Sequence, residues 1–148
     1  DVYKRQPCMF QFFKKYIHQT DKNEFYCDNR VVDISNPNPG VVVDFKNIDH
    51  TYEVFAVLGN YWGGWNSTPT AAEMYNRAKE WEERFGTEIV GLSYNSVDFV
   101  LNRKLSDIEI EDLIKECEDL HADVACSGGY EEMRKIIREK GEIHIWWD

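Results

Sequence analysis

The chain has 148 residues, 43% hydrophobic and 14% aromatic, with 27 acidic against 17 basic side chains for a net charge of −10. That length and apolar content suit one packed domain that buries a core without disulfides or a metal, and they exclude a disordered chain. The acidic balance excludes the basic footprint of nucleic-acid binding, favours solubility and steers the chain towards basic partners.

The first six residues, Asp1-Val2-Tyr3-Lys4-Arg5-Gln6, look like the in-frame translation of a sequencing-library transposon end, GATGTGTATAAGAGACAG. Residues 1–6 are therefore expected to be a metagenomic sequencing artefact and are set aside from fold reasoning. Residues 7–50 read as an N-terminal extension packed on a domain that spans 51–148.

In chain order, residues 8–19 hold Met9, Phe10, Phe12, Phe13, Tyr16 and Ile17 at helix-like spacing. Asp21 to Asn29 is polar and turn-rich, Arg30 to Ile34 suits a short strand, and Pro37-Asn38-Pro39-Gly40 breaks the chain. Val41 to Phe45 and Tyr52 to Leu58 read as two strands of a hairpin joined through Lys46 to His50.

The second half carries sharper signals. Pro69 precedes a capping box of Thr70 with Glu73, and Met74, Ala78, Trp81 and Phe85 form one apolar stripe that Gly86 ends. Glu88 to Ser93 and Ser96 to Leu101 form a hairpin across Tyr94-Asn95. Ser106 with Glu109 opens a second helix bearing Ile110, Leu113, Ile114, Cys117 and Leu120. After Gly128-Gly129, Tyr130 to Lys140 is acidic early and basic late, as the helix dipole prefers, and Gly141 stops it. Glu142 to Asp148 is the last strand. The expected class is α+β: a single, mostly antiparallel sheet with helices on one face, in ferredoxin-like split βαβ order, with one extra helix and the N-terminal extension.

The longest apolar runs, such as Val54 to Leu58, are too short to span a membrane. Cys8, Cys27, Cys117 and Cys126 contain no CxxC pair. Cys117 and His121 would share a helix face with Cys126 following, but the spacing fits no common zinc pattern and a fourth ligand is missing. Buried free thiols in a reducing cytoplasm are expected instead, with no metal and no cofactor.

GxSxG, HExxH, Walker A and GxGxxG signatures are absent. Gly63-Gly64 precedes a helix, but no Lys or Ser/Thr follows at P-loop spacing and Trp65 fills the loop, so a tight turn seating two indoles is expected. On the last strand, Ile143, Ile145 and Trp147 alternate with Glu142, His144, Trp146 and Asp148. His144 and Asp148 lie roughly 13 Å apart along that strand, out of mutual reach but open to groups on neighbouring strands.

Four of the five tryptophans fall in two clusters, Tyr61-Trp62-Gly63-Gly64-Trp65-Asn66 and Ile145-Trp146-Trp147-Asp148. In one reading both clusters are core, locking the GGWN turn onto the last strand. In the other, Tyr61, Trp62, Trp65, Asn66, His144, Trp146 and Asp148 form an aromatic, partly acidic binding surface.

The ordered residues Gly63-Gly64-Trp65-Asn66-x-x-Pro69, Trp81, Arg84-Phe85-Gly86-x-Glu88-Ile89-Val90 and Trp146-Trp147-Asp148 resemble the bacterial domain-of-unknown-function family 4253 over about residues 60–148. The chain departs from that pattern at Arg103-Lys104, in place of Arg-Pro-Pro, and at His121-Ala122-Asp123, in place of Cys-Pro-Asp. The resemblance supplies no established activity and no catalytic residue; a link to toxins or immunity proteins is association alone. The leading expectation is a soluble, cytoplasmic, non-enzymatic binding module for a basic protein partner. The alternative is a small-molecule-binding domain or enzyme with a pocket near Trp62, Trp65, His144 and Asp148.

Overall fold

The computed structural model describes residues 48–123 and 128–147 throughout, together with the backbone of five short strands before them. These are β1 (Phe10–Gln11), β2 (Ile17–Gln19), β3 (Phe25–Cys27), β4 (Arg30–Val31) and β5 (Val41–Val42). Two of them fall where the spacing over 8–19 suggested helix; the remainder of that span lies outside the described residues. The two N-terminal spans set apart in the sequence, 1–6 and 7–50, lie largely outside them as well.

A 3-10 turn (Thr51–Glu53) leads into α1 (Val54–Leu58), where a strand was expected. The cause is local. The Glu53 carboxylate accepts from the backbone N–H groups of Asp49 and His50 at 2.6 and 2.7 Å, closing a capping box that starts a helix. Val-Phe-Ala-Val-Leu is an apolar run that suits either state, and capping decides it. Tyr52, Val54 and Phe55 are buried, and Gly59 stops the helix at φ 52°.

Both capping boxes read from the sequence form: Thr70 with Glu73 at the start of α2 (Ala71–Phe85), and Ser106 with Glu109 at the start of α3 (Asp107–Asp119). The stripe Met74, Ala78, Trp81 and Phe85 is buried, and Gly86 caps α2 in the left-handed region at φ 73°. Between these helices run β6 (Thr87–Leu92) and β7 (Ser96–Leu101); α4 (Gly129–Lys140) and β8 (Glu142–Trp146) follow α3. From residue 51 the order is therefore helix, helix, strand, strand, helix, helix, strand, an α+β domain without the first strand of the ferredoxin-like order.

The main sheet has the order β5-β1-β6-β7-β8, and its β6-β7-β8 part is antiparallel. Beside the single sheet expected, β2-β3-β4 form a small antiparallel sheet of their own. One face of β6-β7-β8 presents Ile89, Leu92, Val97, Phe99, Ile143 and Ile145 to the helices, and these join one continuous core with the α2, α3 and α4 stripes. On the outer face a bulge between Ile89 and Gly91 brings Gly91, Asp98 and His144 into one row across the strands.

Ion pairs tie the helices together at the surface. Arg134 grips Glu111 through two hydrogen bonds of 2.6 and 3.0 Å, joining α4 to α3. Arg103 donates to the Arg84 carbonyl that ends α2 and to Glu109 of the α3 capping box. With Ser106, it holds the Glu109 carboxyl down at about 2. Among the described residues, no helix is long and apolar enough to cross a membrane.

Candidate functional site

The GGWN turn is built by backbone that only particular residues tolerate. Gly63 and Gly64 have φ of 66° and 75°, and Asn66 follows at 49°. A Cβ at Gly63 would overlap the Pro69 carbonyl oxygen. The Gly64 N–H donates to the carbonyls of Pro69 (2.9 Å) and Thr68 (3.2 Å), so the glycines draw the two arms of the loop together.

That turn separates two indoles with opposite fates, rather than seating both. Trp62 is 4% exposed and meets Phe55 and Trp147 edge to face. Its N–H donates to the Ser93 carbonyl at 2.6 Å. Trp65 points the other way, 43% exposed, and stacks on half-exposed Tyr94 with ring centroids 5.3 Å apart and planes 11° from parallel. Tyr61 is 98% exposed, and Asn66 is exposed.

The terminal cluster divides in the same manner. Trp147 is buried and donates to the Leu120 carbonyl at the end of α3. Its backbone is held by Asn95, whose amide donates to the Trp147 carbonyl at 2.8 Å. Trp146 lies half-buried on the outer face, paired with Ser96 on one side and bridged by Asp123 on the other. The Trp146 indole N–H is buried without a partner. The two sequence clusters are thus one structural unit through Trp62 and Trp147, while Tyr61, Trp65 and Asn66 are presented outward. Asp148 lies outside the described residues.

His144 finds its carboxylate on the neighbouring strand. Asp98 stands opposite it in register, and the Asp98 carboxylate is hydrogen-bonded to His144 Nδ1. That bond raises the His144 pKa above its ordinary value even though burial works to lower it. Gly91 makes the room: a Cβ there would overlap the Asp98 carboxylate.

A cleft of about 500 Å³ opens on the other arm of the loop, with Thr68, Asn76, Arg77, Asp119 and His121 among its walls. Trp62, Trp65 and His144 are not among the residues that line it. Cys117, once paired in sequence with His121, sits in the core, and burial pushes its thiol up to about 12, far from a metal-ligating thiolate. Cys126 lies outside the described residues; among those described, no three His, Cys, Asp or Glu side chains gather as a metal set.

Sequence reasoning missed Asp98, Tyr94 and the cleft. Asp98 alternates with inward Val97 and Phe99 and so was legible as outward-facing, but its alignment with His144 depends on a register set across two intervening helices.

Fold and site together define a small α+β domain in which a tryptophan-bearing glycine turn is clamped to the last strand of a helix-covered sheet. The family described as Domain of unknown function (DUF4253) matches residues 45–148, and the chain belongs to that family. The match begins upstream of the motifs near residue 60 and takes in the 3-10 turn and α1. No curated protein and no solved structure matches the chain.

Proposed function

We propose that this domain is a non-enzymatic protein-binding module whose contact surface centres on Tyr61 and the Trp65–Tyr94 stack, and whose partner is a basic protein. One observation carries the reading: three large aromatic side chains stand exposed around the GGWN turn and the hairpin tip, while Trp62 beside them is fully committed to the core. Rigid aromatic rings offer large contact area at low entropic cost, which is why they dominate binding energetics at interfaces. The net charge of −10 supplies the complementarity that draws a basic partner and speeds encounter. A basic toxin is the partner that the association-based reading anticipates. The buried free thiol of Cys117 suits a reducing cytoplasm.

A photo-crosslinking amino acid in place of Tyr61 tests the proposal in extracts of the native host. Ile108, 75% exposed in the first turn of α3, is the control. It lies roughly 18 Å along that helix from the end that meets Trp147. A discrete, salt-sensitive crosslink to a basic protein from position 61 and none from 108 is the expected result. Equal or absent crosslinking at both positions contradicts the proposal.

A further inference from the structure

The cleft beside the GGWN turn has a chemistry of its own. Its walls come from the descending arm of the loop (Thr68, Pro69), the first ten residues of α2 (Asn76, Arg77, Glu80) and the end of α3 with its following turn (Asp119, His121). Its volume, about 500 Å³, falls in the range of small-ligand and side-chain pockets.

The charge in the cleft is lopsided. Three carboxylates, Glu73, Glu80 and Asp119, line it beside one guanidinium, Arg77, and the His121 imidazole. Arg77 donates to Glu116 at 3.1 Å, Glu80 accepts from Arg84 at 3.2 Å and Glu73 from the Thr70 N–H at 2.7 Å, so Asp119 is the carboxylate that the ion pairs and the capping box do not use. Asp119 stands at the C-terminal, negative end of the α3 dipole, whose last turn contains no basic residue. An anion is therefore disfavoured there and a cation favoured. The neutral groups are acceptors as well. Asn76 offers a carboxamide oxygen, and Thr68, only 5% exposed in the wall, has a hydroxyl that finds no partner. A buried hydroxyl left unpaired is costly unless something joins it.

The cleft and the aromatic surface share one turn, since the Thr68 N–H donates to the Trp65 carbonyl at 3.1 Å. We infer that the cleft between α2 and the end of α3 binds an alkylammonium group, with Asp119 as its principal counter-charge and Asn76 and Thr68 as neutral acceptors. This rests on the proposed binding role in one respect: a lysine side chain of the basic partner is the source that places an ammonium beside Trp65. A free amine is the other source of the same chemistry.

Titration of the 148-residue chain with n-butylammonium, and separately with a hexalysine peptide, followed by amide NMR shifts, tests the inference. Saturable shifts centred on Thr68, Asn76 and Asp119 are expected, with affinity about tenfold weaker in Asp119→Asn. Asn76→Ala, an exposed-position change, is expected to weaken binding in the same direction and guards against a misfolded Asp119 variant. Hexalysine binding more tightly than butylammonium, with only the peptide weakened by Trp65→Ala, identifies the side-chain source; equal affinities and no Trp65 effect identify a free amine. Absence of saturation, or unchanged affinity in both Asp119→Asn and Asn76→Ala, overturns the inference. Partner crosslinking from Tyr61 that survives Asp119→Asn would remove the cleft from the interface and leave the binding role standing.

Discussion

Trp62 and Trp147 meet edge to face with ring centroids 6.2 Å apart, and each indole N–H is taken by a backbone carbonyl from a different segment, Ser93 for Trp62 and Leu120 for Trp147. Two rings thereby fasten the GGWN turn, the hairpin tip, the end of α3 and the last strand to each other. Replacing either by Ala is expected to cost about 3–5 kcal/mol, the range for deleting a large core aromatic. Trp147→Phe keeps most of the volume and leaves the Leu120 carbonyl unpaired, so about 1–3 kcal/mol is expected. Denaturant unfolding monitored by circular dichroism checks the ranking.

Glu116 is the second fastening. It accepts from the Trp81 indole at 2.6 Å and from Arg77, and it is paired with Arg84, with only 14% of its own side chain exposed. Burial works to raise its pKa, but the N–H donors of Trp81 and Arg84 outweigh burial and hold the carboxyl below its ordinary value. Removing the carboxylate in Glu116→Ala is expected to cost about 2–4 kcal/mol, below the figure for a wholly buried pair because both arginines reach solvent. A carboxyl with a depressed folded pKa stabilises above its unfolded value, so wild-type stability should fall as pH drops through and below 4.5. The fall should be shallower in the variant. Parallel slopes for the two proteins would contradict the assignment.

The Asp98–His144 pair makes the opposite prediction in pH. His144 is held above its ordinary 6.5, so the contribution of the pair is complete below 6.5 and is lost as pH rises through the folded value. Asp98→Asn should therefore lose more stability at about pH 6 than at about pH 8. In that variant the His144 titration read by NMR should move down, because burial then acts without the carboxylate. Gly91→Ala is expected to do the same by displacing the Asp98 side chain, with about 1–3 kcal/mol of overpacking. A His144 titration unmoved by either change would contradict the geometry.

Much of the fold was legible because its signals were local. The capping boxes at Thr70 and Ser106, the stripe from Met74 to Phe85 and the stop at Gly86 each depend on residues of one helix, within about three turns, and each formed. The run from Tyr52 to Leu58 was misread because an apolar pentapeptide has no period of its own; the deciding residue was Glu53, reaching back to Asp49 and His50. The site was less legible for a different reason. Which tryptophan of each pair turns inward depends on glycines with positive φ and on partners up to 85 residues away, as in the contact of Trp62 with Trp147. The stacking of Trp65 on Tyr94 joins a loop to a hairpin tip, and no periodicity marks it.

The exposed aromatics should matter little to folding. Tyr61→Ala is expected to be nearly neutral in stability, and Trp65→Ala to cost only the stack with Tyr94, about 0.5–1.5 kcal/mol. Thermal unfolding of the two variants beside wild type measures this. A loss as large as that from Trp62→Ala would place Trp65 with the core.

The most direct measurement compares what the immobilised wild-type domain and a Tyr61→Ala/Trp65→Ala double variant of matched folding retain from native host extract, at roughly 50 mM and 500 mM salt. A basic protein held by the wild type at low salt, released at high salt and missing from the variant is the predicted result. Identical retention by both proteins, or none by either, contradicts the account.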